Sequence, residues 1–187
     1  ILQENNVLSL PSNYASDTAL IFYPGAKVEA ISYLPLLERL REEIDINIYL
    51  VDMPFNLAVL NPNVATSIID SHPEIKHWII SGHSMGGAMA SSYASQYSDK
   101  VDGLILLGAY IYGDYPQEKA LTIYGSLNTS VQEKIDYTEN IIVIEGGNHA
   151  QFGNYGSQKG DAVAQISQLD QQEIAISAMV EFIGDLK

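Results

Sequence analysis

The sequence predicts an α/β architecture, a mostly parallel central sheet of about 6–7 strands with helices on both faces. Three observations predict it. Short runs rich in β-branched and aromatic residues recur along the chain, most of them apolar at successive positions, as strands covered on both faces require. Amphipathic segments at helical spacing separate these runs. The two kinds of segment alternate from end to end, the order that parallel strand–helix–strand units produce.

The elements can be justified in turn. Val7–Leu10 reads as a further, edge strand, and Leu20–Tyr23 as the first run buried on both sides, closed by Pro24-Gly25. Tyr33–Glu43 sets Leu36, Leu37 and Leu40 on one helical face, and Ile46–Val51 is the next strand. Asn61-Pro62 reads as an N-cap followed by proline in the first turn, opening a helix to about Ser71. Trp78–Ser81 is a strand, and a helix of small residues starts at Ser84 or Met85 and runs to about Tyr97. Leu104–Leu107, Leu121–Tyr124 and Ile141–Ile144 are the remaining strands. The last helix is expected from Asp170, with Glu173 as its capping-box partner and Ile176, Val180 and Ile183 facing inward. No repeat, low-complexity tract or linker interrupts residues 1–187, which read as one domain. Gly146–Asp161 is a long polar connection, a kind that often carries function.

Composition narrows the function. A chain of 187 residues, 47% hydrophobic and 17% charged, can bury a sizeable core without staples. The formal charge of −14, with only nine Lys and Arg, argues against nucleic acid, which needs clustered cations on phosphate. The acidic residues are scattered, as on a solvated surface. The absence of cysteine excludes disulfides and thiolate metal sites. The four histidines are spread over different elements with no H-x-x-x-H pair, which disfavours zinc, and the chemistry expected below needs neither a metal nor a cofactor. No apolar run approaches the roughly 18 residues of a membrane span. The chain begins at Ile1 rather than Met, which fits a bacterial, extracytoplasmic protein with a signal or anchor upstream, and otherwise a cytoplasmic one.

Ser84 lies in Gly82-His-Ser-Met-Gly86, with a strand before it and a helix after. That context makes G-x-S-x-G a nucleophile elbow, which lifts the hydroxyl to the carboxyl end of the sheet at a helix N-terminus. The N–H of Met85 then points at the same spot as an oxyanion donor. A serine needs a base. His83 is turned away by the elbow, His72 precedes Pro73 at a helix end, and His77 starts the strand far from its carboxyl end. His149 follows the last strand in Glu145-Gly-Gly-Asn-His149, where the order nucleophile, acid, base puts the base. The second oxyanion donor is expected after an early strand, in Pro24-Gly25-Ala26-Lys27: Ala26 first, Lys27 next. Lys27, Phe55 and Asn56 are candidate substrate-binding residues on the rim where ligands bind open α/β sheets, with Met53 as an apolar wall. The tyrosines at 110, 112 and 115 are placed to face the same mouth.

Five blocks resemble the α/β-hydrolase superfamily, and more narrowly its small bacterial, cap-less members related to dienelactone-hydrolase-like esterases. They are FYPGAKVEAISYLPLLERL (22–40), DMPFNLAV (52–59), SGHSMGGAMA (81–90), IYGSLNT (123–129) and EGGNHAQFGNYG (145–156). The resemblance implies an α/β-hydrolase fold without a cap domain and a Ser-His-acid hydrolase, with Ser84 and His149 matching nucleophile and base. It also implies Tyr-Gly-Ser-x-Asp after the penultimate strand, whose Asp orients the histidine. Here the stretch reads Tyr124-Gly-Ser-Leu-Asn128, so an amide stands where a carboxylate is expected. An amide accepts a hydrogen bond from imidazole but does not stabilise imidazolium by charge, and in trypsin the same exchange lowers turnover about 10⁴-fold.

Three readings follow. The acid has moved to Asp114, at the end of a neighbouring strand, as some α/β hydrolases arrange it. Alternatively Asn128 supports a weaker Ser-His pair. In the third, the chain is a degenerate, non-catalytic binding protein of this fold, or one in which Asp was exchanged for Asn. Asp136, in an expected helix, and Glu145, next to the base, are weaker acids. The leading expectation is a carboxylesterase-like serine hydrolase that cleaves a small-molecule ester or acyl bond through an acyl-enzyme at a shallow, lidless site. Acyl transfer to an alcohol or amine uses the same residues.

Overall fold

The computed structural model describes residues 1–4 and 6–186. They build one eight-stranded sheet: β1 (Leu2–Glu4), β2 (Val7–Leu10), β3 (Thr18–Tyr23), β4 (Asn47–Val51), β5 (His77–His83), β6 (Gly103–Leu107), β7 (Ala120–Gly125) and β8 (Ile141–Ile144). Their spatial order is β1-β2-β4-β3-β5-β6-β7-β8. The six central and distal strands, β4 to β8 with β3, run parallel, and only β1 and β2 are antiparallel to their neighbours. The expected strands are all present. The hairpin partner β1 adds an eighth, so Val7–Leu10 is not the edge: it lies between β1 and β4.

The helices are α1 (Leu34–Glu43), α2 (Val64–Ser71), α3 (Met85–Gln96), the single turn α4 (Thr129–Gln132) and α5 (Gln168–Asp185). Leu36, Leu37 and Leu40 of α1 share one face of the sheet with Ile176, Met179 and Ile183 of α5. Ala65 and Ile68 of α2 share the other with Ala90, Tyr93 and Ala94 of α3. β3, β6 and β7 are buried at every position, the expected reading of their unbroken apolar runs.

Two helix starts differ from the expectation. α2 begins at Val64 with Asn63 as its N-cap, while Asn61 closes a preceding turn through its carbonyl to Val64 N–H. Proline at 62 fits that turn as well as a first helical position. α5 begins two residues before Asp170: Ser167 is the N-cap, its Oγ accepting from Asp170 N–H at 3.1 Å. Asp170 is therefore the third residue of the helix, its N–H capped by Ser167 and its carboxylate accepting from the Ser167 hydroxyl at 2.6 Å, rather than its start. Glu173 instead approaches Arg39 of α1 at 3.8 Å.

The topology locates the site. The chain leaves β3 towards β4, then crosses back over β3 to β5 and continues outward to β8. The direction reverses between β3 and β5, and the crevice beyond their carboxyl ends is the ligand position of an open α/β sheet. The turn after β3 and the turn after β5 face that crevice; they carry Ala26 and Ser84.

Candidate active site

Ser84 joins β5 to α3 with φ 54° and ψ −121°, a conformation that non-glycine residues rarely adopt. The surrounding residues over-determine it. Ser84 N–H donates to Leu107 O at 3.0 Å, and Ser84 O accepts from Ala88 N–H as the first helical bond of α3. A Cβ on Gly82 would lie 2.5 Å from the Gly86 carbonyl carbon, and one on Gly86 would lie 2.1 Å from Tyr23 O. Only glycine lets strand and helix meet this closely, which is the physical content of the two motif glycines.

His149 reaches this hydroxyl from the loop after β8. Its Nε2 is 2.9 Å from Ser84 Oγ, and its Nδ1 is 2.7 Å from Asn128 Nδ2. Ser130 Oγ stands 2.9 Å from Asn128 Oδ1. Two hydrogen-bonding patterns suit these atoms. In the first, Asn128 Nδ2–H donates to a bare Nδ1 and Ser130 O–H to Oδ1. Nε2 then carries the hydrogen and donates to Ser84 Oγ, so it has no lone pair with which to take a proton. In the second, the amide is rotated by half a turn. Oδ1 accepts from Nδ1–H, Nδ2–H donates to Ser130 Oγ, and Nε2 is free to accept from Ser84 O–H. A carboxylate enforces the second; an amide permits both.

His149 is also held by its backbone. Asp161 Oδ1 accepts from His149 N–H at 3.1 Å and Oδ2 from Ala150 N–H at 2.8 Å. Asn148 is clasped by Gln171 of α5, whose Oε1 accepts from Asn148 N–H at 3.0 Å and whose Nε2–H donates to Asn148 O at 2.8 Å. Burial holds the His149 pKa below the ordinary 6.5, with the Asp161 carboxylate opposing the shift. The bare Cα of Gly108 makes room for the ring, since a Cβ there would sit 2.9 Å from His149 Nδ1.

The N–H of Ala26, in the turn after β3, and that of Met85, at the start of α3, donate to no acceptor among the described residues. Lys27 N–H is committed to Asn56 O at 2.8 Å, which removes Lys27 as the second choice of oxyanion donor. Lys27, Phe55 and Asn56 all have positive φ, and Phe55 is 87% exposed. None of the three lines the cavity of about 440 Å³ around Ser84. That cavity is bounded by Met85, Tyr110, Ser130, His149 and Asp161, with exposed Lys134 and Lys159 beside it. Of the three tyrosines expected at the mouth, Tyr110 reaches it. Tyr115 is buried, its hydroxyl donating to Val101 O. Asp114 is exposed, its backbone N–H donating to Ser95 Oγ, and Asn128 rather than Asp114 meets the His149 ring. Asp136 lies in open coil after α4 rather than in a helix.

Three contributors carry no motif: Asp161, Gln171 and Ser130. The length and polarity of Gly146–Asp161 were the only signal pointing towards the first. Among the described residues, no three His, Asp or Glu gather as a metal-holding group, and no helix is long and apolar enough to cross a membrane.

A mostly parallel sheet that delivers a strained serine between strand and helix, with a histidine on the loop after its last strand, defines the α/β-hydrolase class. The chain belongs to the alpha/beta hydrolase family, whose model matches residues 19–173. MenH from S. aureus superposes with a TM-score of 0.70 at 12% identity, over 98% of this chain and 99% of that one. The monoacylglycerol lipase of Paleococcus ferrophilus gives 0.66 at 12% identity, over 96% and 100%. Est1E from Butyrivibrio proteoclasticus, with ferulic acid bound, gives 0.65 at 13% identity, over 96% and 95%. At such identities the likeness establishes the fold. Among curated proteins none matches the sequence significantly.

Proposed function

We propose that the protein is a serine hydrolase that cleaves an ester or related acyl bond of a small molecule through an acyl-enzyme. The observation that carries this reading is the 2.9 Å approach of His149 Nε2 to Ser84 Oγ, on a turn whose φ of 54° is held by glycine contacts. Ser84 attacks the carbonyl carbon while His149 Nε2 takes its proton. The N–H groups of Ala26 and Met85 receive the oxyanion, and His149 returns the proton to the leaving oxygen. Water then repeats the sequence on the acyl-enzyme.

Asn128 orients the base in this scheme, and turnover proceeds from the arrangement in which its carbonyl accepts Nδ1–H. The imidazolium that forms lacks an adjacent carboxylate at Nδ1, which makes the reaction slower than a Ser-His-Asp enzyme's. Asp161 provides the nearby negative charge. The alternative, a protein of this fold that binds without cleaving, is favoured by the amide at 128: with its Nδ2 placed 2.7 Å from Nδ1, the hydrogen sits on Nε2 and the histidine has no lone pair for the Ser84 proton. A fluorophosphonate probe separates the two. The hydrolase reading expects a single adduct on Ser84, absent from Ser84→Ala. Folded wild-type protein that stays unlabelled overturns it.

A further inference from the structure

His83, the residue before the candidate nucleophile, is 1% exposed and turned away from Ser84. Its ring lies between the two other pieces of the site. Nδ1 is 2.7 Å from the Tyr33 hydroxyl, and that hydroxyl accepts from Gly25 N–H at 3.1 Å. On the opposite side, Nε2 is 2.9 Å from the backbone carbonyl of His149. Donor and acceptor roles follow from chemistry. A carbonyl oxygen only accepts, so Nε2 carries the hydrogen. Tyr33 then donates to the bare Nδ1 and accepts from Gly25. One uninterrupted chain therefore links the turn after β3, the strand β5 and the loop after β8.

The packing is as close as the bonding. A Cβ on Gly25 would lie 2.9 Å from His83 Nδ1 and 2.8 Å from the Tyr33 hydroxyl. The His83 and His149 rings are 4.6 Å apart, and Phe152 of the same loop packs on His83 at 5.7 Å. Burial keeps the imidazole of His83 neutral by holding its pKa well below the ordinary value, in keeping with one bare nitrogen.

We propose that His83, as the neutral Nε2–H tautomer, is a positioning residue that sets the His149 base against the Ala26 oxyanion turn through Tyr33 and Gly25. The proposal rests on the acyl-hydrolase reading above. His83 touches no reacting atom in this role. It ties down the backbone of the base where Asn128 holds the ring only by an amide, and it makes the turn and the base move as one body. A glutamine at 83 retains one amide donor and one carbonyl acceptor, whereas leucine retains neither.

Two measurements test it. Nitrogen-15 spectra of the wild-type imidazoles at neutral pH should show His83 with a protonated Nε2 and a bare Nδ1; a protonated Nδ1 overturns the proposal. Ester turnover and fluorophosphonate labelling of His83→Leu and Tyr33→Phe, each checked for folding, should fall about 10–100-fold in kcat with KM little changed, as a misplaced base would give. His83→Gln should recover most of that loss. A folded His83→Leu with wild-type kcat, or a His83→Gln as slow as His83→Leu, overturns the positioning role alone. Should His83→Leu fail to fold, Tyr33→Phe and the imidazole spectra decide. Unlabelled wild-type protein overturns the hydrolase reading and this role together, so the two failures are distinct.

Discussion

At the scale of single residues, the proposed hydrolase turns on one amide. Asn128 lies 2.7 Å from His149 Nδ1, the position from which a carboxylate would select the tautomer and stabilise the imidazolium. Asn128→Asp is expected to raise kcat by about 10²–10⁴-fold. It should also move the acidic limb of the pH profile of kcat/KM upward. In the wild type burial depresses the His149 pKa below 6.5, so the base stays neutral to lower pH; a carboxylate at Nδ1 favours the charged form and reverses that shift. Asp114→Asn should leave turnover unchanged, because Asp114 is an exposed loop residue that does not meet the ring. No gain from Asn128→Asp together with a collapse in Asp114→Asn would move the acid to position 114. The meeting of Ser84, His149 and Asn128 was legible in the sequence, because all three sit in motifs at fixed positions relative to the strands. Phe55 and Lys27 were not correctly legible as cavity residues, since a rim loop's sequence does not say which way its turn faces.

At the scale of elements, His149 rides on a loop that has almost no regular structure and is ordered by polar contacts with α5. Gln171 is fully buried and satisfies both backbone groups of Asn148, in the manner of a neighbouring strand. Gln172 Nε2–H adds bonds to Gln151 O at 3.1 Å and Asn154 Oδ1 at 2.9 Å. Replacing Gln171 by Leu strands a buried N–H and a buried C=O. It is expected to cost about 3 kcal/mol, and to lower Tm by roughly 6–12 °C for a domain of this size. Calorimetry checks the stability, and kcat should fall with it because the loop carries His149. Unchanged Tm and kcat would show that the loop is ordered without the glutamine. Two glutamines at the start of an amphipathic helix read as surface residues, and their burial depends on what the tertiary fold lays against them. The same reason explains the helix starts: Ser167 and Asp170 compete with Asp170 and Glu173 as capping pairs, and local sequence admits both.

At the scale of the whole molecule, the sheet brings two neutral histidines into its interior at the carboxyl edge. Burial depresses the pKa of both His83 and His149 below 6.5, so the unfolded chain binds more protons than the folded one in the acidic range. Stability should be fully present above about pH 6.5 and lost as pH falls, by at most about 1.4 kcal/mol per pH unit for each histidine. Urea titrations between pH 7.5 and 5 measure this. His83→Gln should flatten the slope by the share of one group. A stability independent of pH across that range would show the rings to be solvated.

By itself the sequence determined the sheet, its mostly parallel direction, the strained serine and the loop that carries the histidine. Each depends on local signals: apolar runs that need cover on both faces, glycines where a Cβ would clash, and the order of elements along the chain. The tertiary structure alone decided what surrounds His149. Asp161 folds back from the far end of the His149 loop, Gln171 reaches it from α5, and Tyr33 and the ring of His83 meet it only because the sheet order brings the ends of β3, β5 and β8 together. Their roles come from distance and direction in three dimensions, which no spacing along one chain encodes.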